Sequence, residues 1–258
     1  MTVPSQETLD EFQEVCRIPG TGIPLPKAPT YSVLLGILPA ICRTLFRVRY
    51  RGIHRVPKNG PAIIAANHTS HIDPFCVIMG ARRRLHYLAK DGHFKRFHTA
   101  IVMRTTGQIE THRESGASDA LSSASDVLSN GKVMGIFPEG TRSRRALPPY
   151  LQSGKTGVAR MAASHPNVPV VPCALVGARN VMAPGDKILR PWKRVGISYG
   201  ESVTWNEWII HPQGGGQSEE MLQSIIESDD AQRRIALGEL YRKFTNQVIG
   251  TLASLGAP

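Results

Sequence analysis

Asn67-His68-Thr69-Ser70-His71-Ile72-Asp73-Pro74 puts an imidazole five residues ahead of a carboxylate, directly after the apolar run Ala62-Ile63-Ile64-Ala65-Ala66. Phe137-Pro138-Glu139-Gly140-Thr141-Arg142-Ser143 puts a carboxylate, a glycine and a guanidinium after a second apolar run at 133–137. A histidine with an ordinary pKa of about 6.5 takes up a proton near neutral pH, and a nearby carboxylate fixes its tautomer and stabilises the resulting imidazolium. His68 and Asp73 can face each other if the chain turns after the first run and enters a helix around residues 70–74. The second block reads as a turn whose backbone N–H groups and guanidinium hold an anion or a polarised oxygen. No Ser or Cys is read as sitting in the GxSxG of a nucleophile elbow. The proton that His68 removes is therefore expected to belong to a substrate hydroxyl, and the chemistry to be direct transfer.

Each piece also has an ordinary structural reading. An isolated HxxxxD arises by chance, and an Asn-His pair after a strand also caps helices. Glu139 and Arg142 also fit an ion pair at a strand-exit turn. The combination is much rarer than either part. His71, three residues after His68, raises the question of zinc, but no HExxH or Cys/His ligand set accompanies it, so no metal is expected.

The elements that must position these blocks are legible in the pattern after Gly60. Strands are expected at 61–66, 85–89, 108–111, 132–137, 168–176 and 195–199, and helices at 73–83, 93–103, 117–129, 156–164 and 232–255. That alternation predicts one α/β domain, with a mostly parallel or mixed sheet flanked by helices. The final helix spaces Ile235, Leu240, Phe244, Val248, Leu252 and Leu255 at helical intervals. Residues 213–230, Gly-rich and then acidic, read as a loop. The expected division is an N-terminal arm with an interfacial helical segment at 1–55, the α/β domain at 56–212, and a flexible loop with the C-terminal helix at 213–258.

Ahead of the domain, residues 1–30 read as a short helix followed by a Pro/Gly-rich extended arm. Residues 28–42 carry no ionised side chain, yet are too short for the roughly 20 residues that span a bilayer, and contain Pro39. Arg43, Arg47, Arg49, Arg51 and Arg55 follow. An apolar helix with a basic flank suits an anionic membrane interface and equally a soluble core. Thirty-one Lys and Arg against twenty Asp and Glu leave a charge of +11, so one face attracts anions. Nucleic acid is a poor fit: no helix-turn-helix, zinc-finger or RNP-type signature is present, and only 6% of residues are aromatic. The four cysteines lack CxxC spacing and read as buried thiols of a reducing, cytosolic compartment. Glu7, Asp10, Glu11 and Glu14 precede any basic residue, unlike an export signal.

The chain resembles the glycerolipid acyltransferase family that includes lysophosphatidate acyltransferase. Residues 67–73 match its NHxSxxD signature, 107–113 resemble its second block, 137–143 match FPEGTRS, and Val168-Pro169-Val170-Val171-Pro172 matches VPVVP. The resemblance covers roughly residues 49–203, with Lys90 in the small basic block and Lys155-Thr156-Gly157 after the third. Where the family commonly has aliphatic-Asp-Arg, this chain has Thr111-His112-Arg113. The resemblance implies that His68 is the general base and Asp73 orients it, while an acceptor hydroxyl attacks an acyl thioester. It implies Arg113 as the leading phosphate ligand, helped by Lys90 and Arg142, with Glu139, Gly140 and Thr141 forming the acceptor-side turn. The co-substrate is then acyl-CoA or acyl-carrier protein, with no bound cofactor. The acceptor is lysophosphatidate, or alternatively glycerol phosphate or another lysophospholipid. The resemblance also favours the interfacial reading of residues 31–55, and a peripheral or monotopic protein on an anionic membrane surface at the cytoplasmic face.

Overall fold

The computed structural model describes residues 3–29, 31–45, 47–95, 97–111 and 116–258. The first half contains α1 (Gln6–Cys16), α2 (Tyr31–Leu45), β1 (Val48–Arg51), β2 (Ala62–Ala66), α3 (Asp73–Ala81), β3 (Leu85–Lys90), α4 (Asp91–Lys95), α5 (Phe97–Thr105), β4 (Ile109–Thr111) and α6 (Gly116–Ser129). The second half contains β5 (Val133–Ile136), α7 (Gly157–Ser164), β6 (Val170–Val176), α8 (Ala178–Val181), β7 (Val195–Tyr199), α9 (Trp205–Ile210), α10 (Glu219–Glu227) and α11 (Asp230–Ser254).

The strands form one mixed sheet in the order β1-β7-β6-β2-β5-β3-β4. β6, β2, β5, β3 and β4 are mutually parallel, β7 runs antiparallel to β6, and β1 runs parallel to β7. The carboxyl ends of β2, β5, β3 and β6 and the amino ends of β1 and β7 therefore share one rim. Side chains alternate across β2, as strand geometry requires. Ile63 and Ala65 enter the core shared with α1, α6, α7, α9, α10 and α11, and Ala62, Ile64 and Ala66 enter the core under α3. Burying Ile63 and Ile64 outright contributes roughly 2 kcal/mol each. Phe12 of α1, Leu222 of α10 and Phe244 of α11 sit in the same cluster as Ile63, and Trp205, Trp208 and Phe244 pack ring on ring.

Several elements differ from the sequence reading. Val48-Arg49-Tyr50-Arg51, read as part of a basic strip, is a strand, because the alternation puts Val48 in the core and Arg49 and Arg51 in solvent. The loop expected at 213–230 contains α10, started by Ser218, whose hydroxyl accepts from the Met221 N–H. Glu219 ties this helix to α1, accepting from the Ser5 N–H at 2.6 Å and the Thr8 hydroxyl at 2.5 Å. The helix expected at 93–103 falls on α4 and α5, on either side of residue 96, which lies outside the described residues. Gly196-Ile197-Ser198-Tyr199-Gly200 spells GxSxG, but it runs along β7, where Ser198 pairs with Ala174, and forms no elbow. Among the described residues no helix is long and apolar enough to cross a membrane. Cys16, Cys76 and Cys173 are buried free thiols.

Candidate active site

The two chemical blocks meet because β2 and β5 are parallel neighbours with Ala65 opposite Ile136. Three residues beyond that rung stand His68 and Glu139, and the His68 N–H donates to Glu139 Oε1 at 2.6 Å. The Ser143 N–H donates back to the His68 carbonyl at 2.9 Å, so the two turns are laced together. Asn67, fully buried, extends the β2–β6 ladder with its side chain. Its Nδ2 donates to the Leu175 carbonyl at 3.0 Å and its Oδ1 accepts from the Leu175 N–H at 2.7 Å. The chain thus leaves β2 in a fixed direction.

His68 Nδ1 lies 2.9 Å from Asp73 Oδ2. The same oxygen accepts from the Thr69 and Ser70 N–H groups at 2.6 Å each, which closes the turn. Asp73 is the first residue of α3, where the helix dipole favours a negative charge, and it is fully buried. Its Oδ1 has no hydrogen-bond partner. The carboxylate therefore anchors Nδ1, and Nε2 is the ring nitrogen left for chemistry. The imidazole also stacks on Phe137, with centroids 4.0 Å apart, and Phe137 stacks on Tyr87 at 5.3 Å. Gly135 makes room for that column, since a Cβ there would stand 2.2 Å from the Tyr87 ring.

Glu139 is 3% exposed, and its carboxylate accepts from the Gln152 N–H at 3.2 Å and Gln152 Nε2 at 3.3 Å as well as from His68. Burial pushes its pKa up to about 7, against the pull of these hydrogen bonds. Gly140 has φ +70°, a left-handed conformation that suits glycine, and the Lys155 side chain would stand 2.8 Å from a Cβ placed there. The Gly140 N–H closes the turn onto the Phe137 carbonyl at 2.9 Å, and the Lys155 N–H donates to the Pro138 carbonyl at 2.7 Å. Arg142 Nη1 meets His71 Nδ1. Burial lowers the Arg142 pKa from its ordinary value, opposed by the attraction of Asp73.

A cavity of about 1270 Å³ opens on this turn pair. That exceeds the roughly 300–1,000 Å³ of most small-ligand sites. Its lining includes the polar or charged His68, His71, Thr141, Arg142 and Lys155 with Gly140, and the apolar Ile78, Met79, Leu88, Met103, Leu121 and Met134. Such a cavity can hold a long apolar chain beside a charged head. The structure brings together His68, Asp73, Glu139, Gly140, Thr141 and Arg142. Glu139 is not part of the lining, its oxygens being held by the His68 and Gln152 N–H groups and by Gln152 Nε2. Lys90 ends β3 on the same rim, and its side chain lies outside the described residues, as does Arg113 entirely. Among the described residues no group of three or more His, Cys, Asp or Glu side chains is gathered to hold a metal. Sequence reasoning missed the Phe137 stack, the Gln152 clasp and the Lys155 stem over Gly140. Only Lys155, twelve residues after the third block, left a trace in the sequence.

A family model described as Acyltransferase matches residues 47–176, from the residue before β1 to the end of β6, including both turns. The 1-acyl-sn-glycerol-3-phosphate acyltransferase of Bacillus subtilis is 26% identical over 123 residues, 47% of this chain and 59% of that protein. That of Borreliella burgdorferi is 35% identical over 95 residues, 36% of this chain and 38% of that protein. The chloroplastic enzyme of the same name from Arabidopsis thaliana is 28% identical over 145 residues, 55% of this chain and 39% of that protein. The chain spans about half the length of the curated relatives it matches. The crystal structure of PlsC, the 1-acyl-sn-glycerophosphate (LPA) acyltransferase of Thermotoga maritima, superposes with a TM-score of 0.54 at 22% identity, covering 81% of this chain and 80% of that one. That likeness shows a shared fold. With the family model spanning half of its length, the chain belongs to the Acyltransferase family.

Proposed function

We propose that this protein moves a fatty acyl group from a thioester donor, acyl-CoA or acyl-carrier protein, to the hydroxyl of lysophosphatidate, giving phosphatidate. The observation that carries the reading is His68, anchored through Nδ1 by buried Asp73 and lining a cavity that has both basic and apolar side chains. The names of the relatives in the preceding subsection support the acceptor. Nε2 takes the proton of the acceptor hydroxyl as its oxygen bonds to the thioester carbonyl carbon. The tetrahedral oxyanion collapses, the C–S bond breaks, and the imidazolium returns the proton to the leaving thiolate. The ester and a free thiol are the products.

Oxyanion stabilisation falls to the second turn. The Thr69 and Ser70 N–H groups are spent on Asp73, the Gly140 N–H on Phe137 and the Ser143 N–H on His68. The Thr141 and Arg142 N–H groups remain as backbone donors, with Arg142 and Lys155 lining the same cavity. Arg113 and Lys90 are proposed as ligands of the acceptor phosphate together with Arg142. Glu139 acts by holding the His68 turn.

The proposed setting is the cytoplasmic face of a membrane. α2 buries Tyr31 and leaves Val33 and Ile37 61% and 57% exposed, while Phe97 and Ile101 of α5 are also exposed. An apolar surface beside an apolar cavity suits a substrate that never leaves the bilayer. A panel of acceptors, comprising lysophosphatidate, glycerol phosphate and lysophosphatidylcholine, offered with one labelled acyl thioester tests the acceptor. Lysophosphatidate is expected to be preferred, and a preference for either other acceptor overturns that assignment. His68→Ala is expected to abolish transfer without moving the melting temperature, and normal turnover in that variant overturns the mechanism.

A further inference from the structure

Four arginines converge at the sheet edge away from His68. Arg43, Arg47, Arg49 and Arg194, with Val48, line a separate cavity of about 270 Å³. The register that pairs Val48 with Val195 sets Arg47 and Arg194, the residues just before each strand, side by side. Arg49 stands opposite Gly196, which puts no side chain into the hollow. Arg43 reaches in from the last turn of α2, its guanidinium 5.7 Å from the Tyr50 ring centroid. Like charges placed directly opposite one another repel. Here nothing answers them: among the described residues no carboxylate pairs with any of the four, whereas Arg55 takes Glu201 and Arg190 takes Asp186. Arg47 is moreover held at φ +46°, a conformation rare for a non-glycine residue.

The position of the hollow indicates what it holds. It lies on the rim that carries the His68 cavity, three strands over, about 14 Å at the spacing of neighbouring strands. Between them runs the segment after α8. Pro184 and Gly185 line the His68 cavity, Ile188 is 70% exposed and Trp192 59%, and Lys187 and Lys193 flank these apolar side chains. Exposed Trp and Ile among Lys and Arg is the composition of a surface that enters a lipid interface.

We propose that Arg43, Arg47, Arg49 and Arg194 form a second anion site, which takes the phosphate of an anionic lipid headgroup and seats the His68 rim on the bilayer. Guanidinium forks match phosphate oxygens bidentately, and one phosphate relieves the repulsion of four cations. This deepens the membrane setting proposed above and rests on it only for the source of the phosphate. It is independent of the acyl acceptor.

The test uses the whole chain and no turnover. Sedimentation with vesicles of phosphatidylcholine alone, and of phosphatidylcholine mixed with phosphatidylglycerol, is compared for wild type, Arg47→Gln/Arg194→Gln, and Lys58→Gln/Lys132→Gln. The last pair removes the same charge ahead of β2 and β5, at the opposite rim. Wild type is expected to prefer the anionic vesicles, and the arginine variant to lose about 30-fold of that affinity, at roughly fivefold for each basic residue near the surface. The lysine variant is expected to lose little. Equal losses in both variants indicate diffuse attraction and overturn the site. A melting temperature that rises with inorganic phosphate in wild type alone, combined with unchanged vesicle binding in the arginine variant, indicates a soluble phosphate ligand and overturns the lipid assignment. Removing two repelling charges should leave the fold intact. If Arg47→Gln/Arg194→Gln melts early, Arg194→Gln alone serves, with an undiminished anionic preference overturning the proposal.

Discussion

Asp73→Asn isolates the charge behind His68 with little change of shape. If the Asn oxygen occupies the place of Oδ2, it keeps the Thr69 and Ser70 N–H bonds, each 2.6 Å, and still faces His68 Nδ1. What disappears is the negative charge 2.9 Å from the imidazolium, worth about 6 kcal/mol by Coulomb's law at an effective dielectric of about 20. The neutral hydrogen bond retains about 1 kcal/mol of this. His68 is 16% exposed, so water screens a further part. Roughly 3–4 kcal/mol remains, which lowers kcat by about two to three orders of magnitude. The Asn amide group must then occupy the position of Oδ1, which is buried and has no acceptor, at a stability cost of about 1–3 kcal/mol. Initial rates with a labelled thioester, taken well below the melting temperature, separate the two effects. kcat should fall while the acceptor KM stays within about threefold, because the lost interaction exists only once the proton has moved. A folded Asp73→Asn protein with kcat close to wild type, or one whose loss lies wholly in KM, refutes the role given to the buried carboxylate.

Two further outcomes follow from the same neighbourhood. The pKa of Glu139 is raised from 4.5 to about 7, so between these values the unfolded chain gives up a proton that the folded chain keeps. Its contribution to stability is therefore greatest below about pH 4.5, falls as pH rises, and levels off above about pH 7. Melting curves of Glu139→Gln from pH 4.5 to 7.5 should show a weaker decline with pH than wild type, and an identical decline removes Glu139 as the group responsible. Gly135→Ala places a methyl 2.2 Å from the Tyr87 ring and must shift the Tyr87–Phe137–His68 column. Overpacking should cost about 1–3 kcal/mol in urea denaturation and lower kcat as well. Gly238→Ala, with open space in α11, should instead gain up to about 1 kcal/mol, and equal effects at the two positions contradict the packing account.

What could be read from the sequence divides by distance along the chain. His68 and Asp73 are five residues apart and meet within one turn, so their spacing alone exposes the pair. The runs behind them are legible because a strand buried on both faces is apolar throughout, as Ala62–Ala66 is. β1 was obscured because its period-two alternation is written in arginines, which also suit a helix flank. α10 was obscured by the glycine run ahead of its Ser218 cap. Contacts that depend on strand order leave no local mark. The His68 N–H finds Glu139 across 71 residues only because β2 and β5 are neighbours, and the same contact turns the Glu139 carboxylate away from the cavity wall on which the motif alone would place it. The arginine hollow is the extreme case. Arg43, Arg47 and Arg49 look like a diffuse basic strip until the β1–β7 register sets Arg194 among them, and the strand directions then bring that cluster to the rim that carries His68. Local spacing shows which side chains can do chemistry. Register decides which of them share a site, and here it sets the His68–Asp73 pair and the arginine cluster along one rim.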